Sequence, residues 1–415
     1  MEPGGVSAVF TRHAEHRMQL EELLQMLPRV LPDDVIDSFD VSPLIAFIEA
    51  VVNQETGSMV VSRQLVASAV ARLDGEGGAA GAAPATVAKV AYQRMLGVLL
   101  PRAISYEEQI STVRLKLAKI YETEGNMLEA ANILQAIPLE SGQRQLSPAY
   151  KVEMYLRIAR LQLEGRNAEG AEAAISRAAM LLQLPDAAGR TVDQALVIEH
   201  KALHARVLDR HRRFVDAALK FLELSLSPLV AVSDQKTALA QAITCTILEQ
   251  PGSQRTRLLT TLYKDERSRG LKIFGLLDKL YLDRIIKKNE FDEFERELEP
   301  HQRQDESGEN IIRKMLVEHN LMAASKVYSS MTIESLAHLI DVSQAQAEKV
   351  AGALIASERL KATIDQIEGR IHFESKSSLA AWNDQIAHFC DQVTRVYDSI
   401  CELHPELVAA VNAQT

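Results

Sequence analysis

Two histidines four residues apart are the best candidates for metal chemistry in this sequence. His200 and His204 would share one face of a helix. Zinc hydrolases of the His-Glu-x-x-His type need glutamate directly after the first histidine, but Lys201 stands there. Cys401 and His404 form a Cys-x-x-His pair without the second pair that a tetrahedral zinc site requires. Both pairs are therefore interpreted as ordinary helix residues, and no metal or other cofactor is expected.

Signatures of nucleophilic and metalloprotease catalysis are missing from the sequence. It contains neither a His-x-His motif nor a Gly-x-Ser-x-Gly motif. The Gly/Ala-rich segment 73–88 lacks the Gly-Lys-Ser/Thr ending of a phosphate-binding loop, so we predict a flexible loop there. We therefore expect that the chain is not an enzyme and acts by binding other proteins.

Composition narrows the class of partner. The 415 residues are 47% hydrophobic and 25% charged, with a net charge of −10, which disfavours nucleic acid as a partner. Three scattered cysteines predict a reducing compartment, the cytoplasm or the nucleus. There is no apolar core of a secretion signal near the N-terminus and no run of about 18 apolar residues, so no membrane partner is expected.

Three pairs of alanines indicate a helical repeat. The two members of each pair are 12 residues apart, a spacing that would let two antiparallel helices approach closely and that resembles the tetratricopeptide pattern. The pairs are Ala118 with Ala130, Ala159 with Ala171, and Ala205 with Ala217. We predict a right-handed α-solenoid of such helix pairs over residues 1–300. Ser105 and Glu108 form a candidate capping box at the start of the first pair.

A winged helix is predicted over residues 301–375. Three helical segments precede two alternating stretches, which Glu368 and Gly369 would join as a tight hairpin, since glycine adopts the positive φ that such a turn needs. Ile364 and Ile371 are candidates for the inward face of this hairpin. The whole wing, from Ile364 to Phe373, is a candidate partner-binding surface through strand addition.

A winged helix raises the question of nucleic-acid binding. DNA readers present basic and amide side chains on the recognition helix and basic residues in the wing. The candidate helix offers Gln344, Gln346, Glu348 and Lys349, whose charges cancel, and the charges of the wing nearly cancel too. A protein-interaction module is therefore favoured over a nucleic-acid reader, which remains the alternative.

The clearest periodicity in the chain lies near its C-terminus. Apolar residues recur there at alternating steps of three and four, which predicts a helix with a heptad seam in residues 376–415. The seam residues are Leu379, Trp382, Ile386, Phe389, Val393, Val396, Ile400 and Leu403. Two interpretations stay open: the helix folds back on the winged helix, or it joins helices of other subunits in a bundle. The candidate partner-binding residues are the first seven of these seam residues, together with Ile364, Ile371 and Phe373 of the wing.

Several stretches resemble a known family. A helical solenoid followed by a winged helix and a C-terminal helix resembles the PCI-domain scaffolds. The stretches "LDKLYLDRIIKKNEF", "EHNLMAASKVYSSM" and "TIDQIEGRIHFES" resemble the family of subunit 4 of the constitutive photomorphogenesis 9 signalosome. The resemblance covers roughly residues 105–401, while the segment 73–88 departs from the family pattern. A scaffold subunit of the proteasome lid, with the same fold, is the alternative.

The resemblance implies a function. Signalosomes remove a ubiquitin-like modifier from cullins in cullin–RING ubiquitin ligases, and the metalloprotease centre lies in another subunit. Subunit 4 of this family is a non-catalytic scaffold, whose winged helix and C-terminal helix assemble with other PCI-domain and metalloprotease-fold subunits. Its solenoid arm contacts the cullin–RING ligase. These properties are expectations for the present chain.

Overall fold

The computed structural model describes residues 16–32, 39–54, 58–75, 84–140, 146–183, 193–303, 311–373 and 378–403. Within them it contains 19 α-helices and three short strands, which confirms the prediction of a mainly helical fold. None of the helices described is both long enough and apolar enough to cross a membrane. The chain divides into two compact units, Met1–Ala238 and Leu239–Thr415. The predicted domain boundaries at residues 300 and 375 stay predictions.

The first unit consists of helices packed on shared apolar cores. Its helices are α1 (His16–Val30), α2 (Ser42–Val52), α3 (Met59–Leu73), α4 (Ala85–Leu99), α5 (Glu107–Thr123), α6 (Met127–Gln135), α7 (Pro148–Glu164), α8 (Ala168–Leu182), α9 (Gln194–Arg210) and α10 (Phe214–Leu226). Helix α11 (Val232–Leu248) crosses the division into the second unit. One core joins residues of α1 to α5, and a second joins residues of α5 to α9.

The alanine pairs mark close helix contacts, as predicted. All six alanines are completely buried, one in each helix of the pairs α5–α6, α7–α8 and α9–α10. The turn inside each pair also repeats, because Gly125, Arg166 and Arg212 occupy the same place and all have positive φ, at 83°, 64° and 59°. This left-handed conformation is easy for glycine and strained for arginine.

These turns predict the effect of a single methyl group. A Cβ atom at Gly125 would meet no atom within 4 Å, so Gly125→Ala should lower the free energy of unfolding by about 1 kcal/mol through backbone strain alone. Gly97, inside α4, also has open space but lies in a regular helix, so Gly97→Ala should raise the same quantity by about 0.5–1 kcal/mol. Urea unfolding followed by circular dichroism measures both changes. Changes of the same sign in the free energy of unfolding of the two variants would contradict this explanation.

Two local predictions in the first unit are wrong in part. Helix α5 begins at Glu107, and its N-cap position is Tyr106, which makes no side-chain capping bond. Ser105 lies in the preceding turn, where its carbonyl accepts a hydrogen bond from Arg63 Nε at 2.7 Å, so it is not the cap of a capping box. The loop predicted at 73–88 is too long, because α3 includes residue 73 and α4 begins at residue 85. Residues 76–83 lie outside the described part.

The second unit begins with short helices and ends with a winged helix and one long helix. After α11 come α12 (Ser253–Lys264), α13 (Phe274–Tyr281), α14 (Lys288–Glu297), α15 (Pro300–Arg303), α16 (Ile311–Val327), α17 (Ile333–Ile340), α18 (Gln344–Ala356) and α19 (Ser378–Leu403). The strands are β1 (Ser330–Thr332), β2 (Ala362–Asp365) and β3 (Arg370–Phe373). Helices α16, α17 and α18 with the three strands share one apolar core, which is the predicted winged helix.

Capping side chains set the helix starts inside the winged helix. Thr332 accepts a hydrogen bond from the Ser335 amide at 3.2 Å, and Ser343 accepts one from the Gln346 amide at 3.4 Å. Each bond satisfies one backbone donor that a helix start leaves without an intrahelical partner. Threonine and serine are both residue types that favour this N-cap position.

Candidate functional site

The wing is the first of two candidate partner-binding surfaces. Strands pair antiparallel in the order β1–β3–β2, so β2 is an edge strand of the described sheet. The predicted hairpin is confirmed: Gly369 has a φ of 64°, and the Asp365 carboxylate accepts hydrogen bonds from the Ile367 and Glu368 amides. Strand β1 was not predicted from the sequence. The free edge of β2 offers backbone groups for strand addition.

The wing side chains predicted to bind a partner differ in how far they are exposed to solvent. Ile371 is completely buried, and Phe373 is also buried, both within the core of the winged helix. Ile364 is half-buried opposite Ile371 in the β2–β3 register. The residue that projects is Ile367, which is 98% exposed in the turn. A partner that meets this wing would therefore contact Ile367, the Ile364 edge and the β2 backbone before it could reach Ile371 or Phe373.

The C-terminal helix α19 is the second candidate surface. It runs from Ser378 to Leu403, as its heptad seam predicts, with the side chain of Leu379 outside the described part. The other seam side chains are 44–74% exposed; they are Trp382, Ile386, Phe389, Val393, Val396, Ile400 and Leu403. A large continuous apolar stripe on a protein surface usually marks an interaction site. Of the two interpretations of this helix, burial against its own winged helix does not apply to these seven described seam side chains.

Charges near the wing are balanced. Gln366 in the turn donates a hydrogen bond at 2.7 Å to the carboxylate of Glu348, which lies on α18. A DNA reader would present a basic or amide side chain on this helix instead. Lys288 pairs with Asp341 at 2.6 Å, and hydrogen bonding to Lys288 lowers the pKa of the Asp341 carboxyl. This surface lacks the concentrated positive charge that holds a phosphate backbone.

Two family models match most of the chain, and curated relatives match at least 90% of it. A model described as "PSMD12/CSN4, N-terminal" matches residues 18–233, and a model described as "PCI domain" matches residues 276–375. COP9 signalosome complex subunit 4 of Caenorhabditis elegans is 38% identical over 406 residues, covering 97% of this chain and 96% of the relative. The chain belongs to the COP9 signalosome subunit 4 family. The resemblance seen in the sequence is thereby confirmed.

Two further members of the subunit 4 family match this chain over most of their length. The protein of that name from Drosophila melanogaster is 38% identical over 96% of this chain and 94% of its own length. The one from Arabidopsis thaliana is 35% identical over 90% of this chain and 93% of its own length. The PCI match ends at residue 375, so it includes the wing, whereas α19 follows it.

The histidine pair of this subunit 4 family member lies on a single helix of the first unit. The rings of His200 and His204 lie 6.0 Å apart between centroids on α9. Burial lowers the pKa of both imidazoles, and the neighbouring His204 lowers that of His200 further. Within the described ranges no group of three or more His, Cys, Asp and Glu side chains could hold a metal ion. His404 lies outside those ranges, so the Cys401–His404 pair stays untested.

Two exposed apolar residues of this family member were not individually predicted as partner-binding: Ile367, inside the predicted wing, and Tyr397, beside the predicted seam. Tyr397 is 57% exposed on α19, four residues after Val393 and three before Ile400. A strict heptad count omits it, but a helix of 3.6 residues per turn brings it beside the seam. Ile367 lies in a turn, where polar residues and glycine are the usual expectation. An isolated isoleucine between Gln366 and Glu368 was the signal that could have indicated it.

Proposed function

We propose that this chain is a non-catalytic scaffold subunit of a COP9 signalosome. The seam of α19 would enter a bundle of helices from other subunits, and the wing would join neighbouring PCI-domain subunits. The observation that carries the proposal is the exposed seam, because seven large apolar side chains on one helix face are costly to leave in water. Burying them would contribute roughly 10–20 kcal/mol before the entropic cost of association is subtracted.

The helical first unit would serve as the arm that docks the cullin–RING ligase. Helical repeats offer long surfaces to partner proteins, and the curated relatives of this length carry the name of a signalosome subunit. The complex would then remove a ubiquitin-like modifier from the cullin, with catalysis in a metalloprotease-fold subunit and no cofactor on this chain. Its place of action would be the cytoplasm and the nucleus.

A scaffold subunit of the proteasome lid is the second candidate. The N-terminal family model includes PSMD12 in its description as well as CSN4, so this match alone does not separate the two assemblies. Relatives named signalosome subunit 4, matched over at least 90% of the chain, favour the signalosome. A nucleic-acid-binding winged helix is disfavoured by the balanced charges near the wing. That alternative requires salt-sensitive binding to a DNA duplex, which a titration at two salt concentrations would detect.

Affinity purification of the tagged full-length chain, followed by mass spectrometry, tests the proposal. We expect PCI-domain and metalloprotease-fold subunits of the signalosome in stoichiometric amounts, with cullins present at lower amounts. The purified assembly should remove the modifier from a cullin, whereas the isolated chain should not. Recovery of proteasome-lid subunits in their place would support the second candidate. Activity of the isolated chain would contradict a non-catalytic role.

A further inference from the structure

We propose that three consecutive residues of α16 form a latch that fixes the link between α13 and α14 to the winged helix. The link comprises residues 282–287, and the latch consists of Glu318, His319 and Asn320. Two latch residues bind the link, and the third binds the chain that leads into β2. The latch thereby sets the separation of α14 and the winged helix, and its opening allows that separation to change. This conformational device lies within the second unit and does not depend on the proposed function.

Asn320 makes the central contact of the latch. Its side chain is only 2% exposed; Oδ1 accepts a hydrogen bond from the Ile286 amide at 2.9 Å, and Nδ2 donates one to the Ile286 carbonyl at 3.0 Å. These two bonds resemble those that a pair of residues exchanges in an antiparallel sheet. Ile286 is buried and lies outside any helix, so its backbone groups need such partners. A side-chain amide offers the donor and the acceptor together, whereas aspartate would lack the donor and leucine would lack both.

His319 and Lys326 bind two further residues of the link. His319 Nε2 lies 2.9 Å from the Arg284 carbonyl oxygen, and because that oxygen can only accept, Nε2 carries the proton. Burial lowers the pKa of His319, so the ring is neutral near pH 7 and holds its one proton on Nε2. Lys326 pairs with the Asp283 carboxylate, but this pair is exposed and contributes less than the buried contacts. Three residues of the link are therefore bound to one helix.

Glu318 connects α16 with the winged helix on the other side. Residues two apart on a helix point in nearly opposite directions, so Glu318 faces away from Asn320. Its carboxylate accepts a hydrogen bond from Arg359 Nη2 at 2.7 Å, and Arg359 lies between α18 and β2. Helix α16 also belongs to the apolar core of the winged helix, through residues such as Leu321. The latch therefore has the link on one side and the winged helix on the other.

A cavity beside the latch leaves the separation of α14 and α18 to these polar contacts. The cavity has a volume of about 1030 Å³ and is lined by both helices, for example by Asp292 on α14 and by Val350 and Ala353 on α18. Where the cavity lies, the two helices are not packed against each other, so apolar packing there does not fix their separation. Ile286 and Asn320 also line the cavity. Their two hydrogen bonds therefore hold the link at its border.

Hydrogen–deuterium exchange of the isolated full-length chain tests the latch. Asn320→Leu keeps the approximate shape of the side chain but removes both hydrogen bonds, so the Ile286 amide should exchange at least about 10-fold faster. Asn289→Leu makes the same substitution at an exposed position of α14 outside the lining of the cavity, and it should leave this amide at its native rate. Strands β2 and β3 should keep their native exchange rates in both variants, because the winged helix stays folded.

A second pair of variants decides the question if Asn320→Leu does not fold. His319→Gln can still donate a hydrogen bond to the Arg284 carbonyl, whereas His319→Leu cannot. Only His319→Leu should therefore speed the exchange of the link, while His319→Gln should restore the native rate. Unchanged exchange of the link in His319→Leu and in folded Asn320→Leu would overturn the proposal. Equal acceleration in His319→Gln and His319→Leu would also overturn the role given to His319.

Spin labels on the two sides of the cavity measure the separation itself. Glu293→Cys on α14 and Ala345→Cys on α18 place labels at exposed positions outside the lining, in a chain whose Cys390 and Cys401 are replaced by serine. Electron–electron double resonance should give one narrow distance distribution with the latch intact and a broader or shifted one in a folded latch variant. An unchanged distribution in that variant would overturn the proposal. Since no partner subunit is used, failure here would leave the scaffold proposal unaffected.

Discussion

Replacing Ile386 and Phe389 by glutamate is expected to expel the chain from its assembly while both compact units remain folded. Both side chains project from the exposed seam of α19, so the isolated chain loses little apolar burial. In a bundle, each would contribute about 1.5–3 kcal/mol of apolar burial, and a buried carboxylate would add a further penalty. Affinity for the partner subunits should therefore fall by at least about 100-fold. Co-purification with tagged partner subunits measures the loss.

A control with the same change in charge lies on the same helix. His388→Glu combined with Thr394→Glu also adds two carboxylates to α19, but at exposed positions off the seam. This variant should co-purify as the native chain does. If both double variants co-purified with the partner subunits as well as the native chain does, the seam would not be what binds the chain to its assembly. Equal loss of both would indicate a general effect of negative charge on this helix.

Replacing Ile371 by aspartate is expected to unfold the winged helix. The side chain is completely buried in the core formed by α16, α17, α18 and the sheet. Burying a carboxylate there without a partner should lower the free energy of unfolding by about 3–5 kcal/mol. Hydrogen–deuterium exchange of peptides from β2 and β3 would show the loss as fast exchange. Exchange as slow as in the native chain would contradict the placement of Ile371 in this core.

The neighbouring turn provides the comparison for the wing. Ile367→Asp introduces the same side chain at a fully exposed position, where the free energy of unfolding should change by no more than about 0.5 kcal/mol. Since Ile371→Asp alters folding itself, only Ile367→Asp can report on contacts with a neighbouring subunit. Weaker assembly of Ile367→Asp with native exchange rates would support a role for the wing. Native assembly of that variant would restrict the proposal to α19.

Much of the helical architecture could be predicted because its signals are local. The spacing of Ala118 and Ala130, and of the two equivalent pairs, depends on helix geometry, which is the same in every context. The caps at Thr332 and Ser343 also act within a few residues. The prediction at Ser105 was wrong because the preceding chain turns first: the Arg102 carbonyl accepts hydrogen bonds from the Ser105 and Tyr106 amides, and the helix begins only at Glu107.

The candidate sites also have some features that depend on local sequence and others that depend on contacts between distant segments. Periodicity alone identified the helix of the seam and the hairpin of the wing, since both depend on the alternation of apolar and polar residues. Whether an apolar side chain meets solvent depends on which other segments cover it, and that information is not local. The tertiary structure therefore decided that Ile371 and Phe373 are buried while Ile367 and the seam of α19 are exposed.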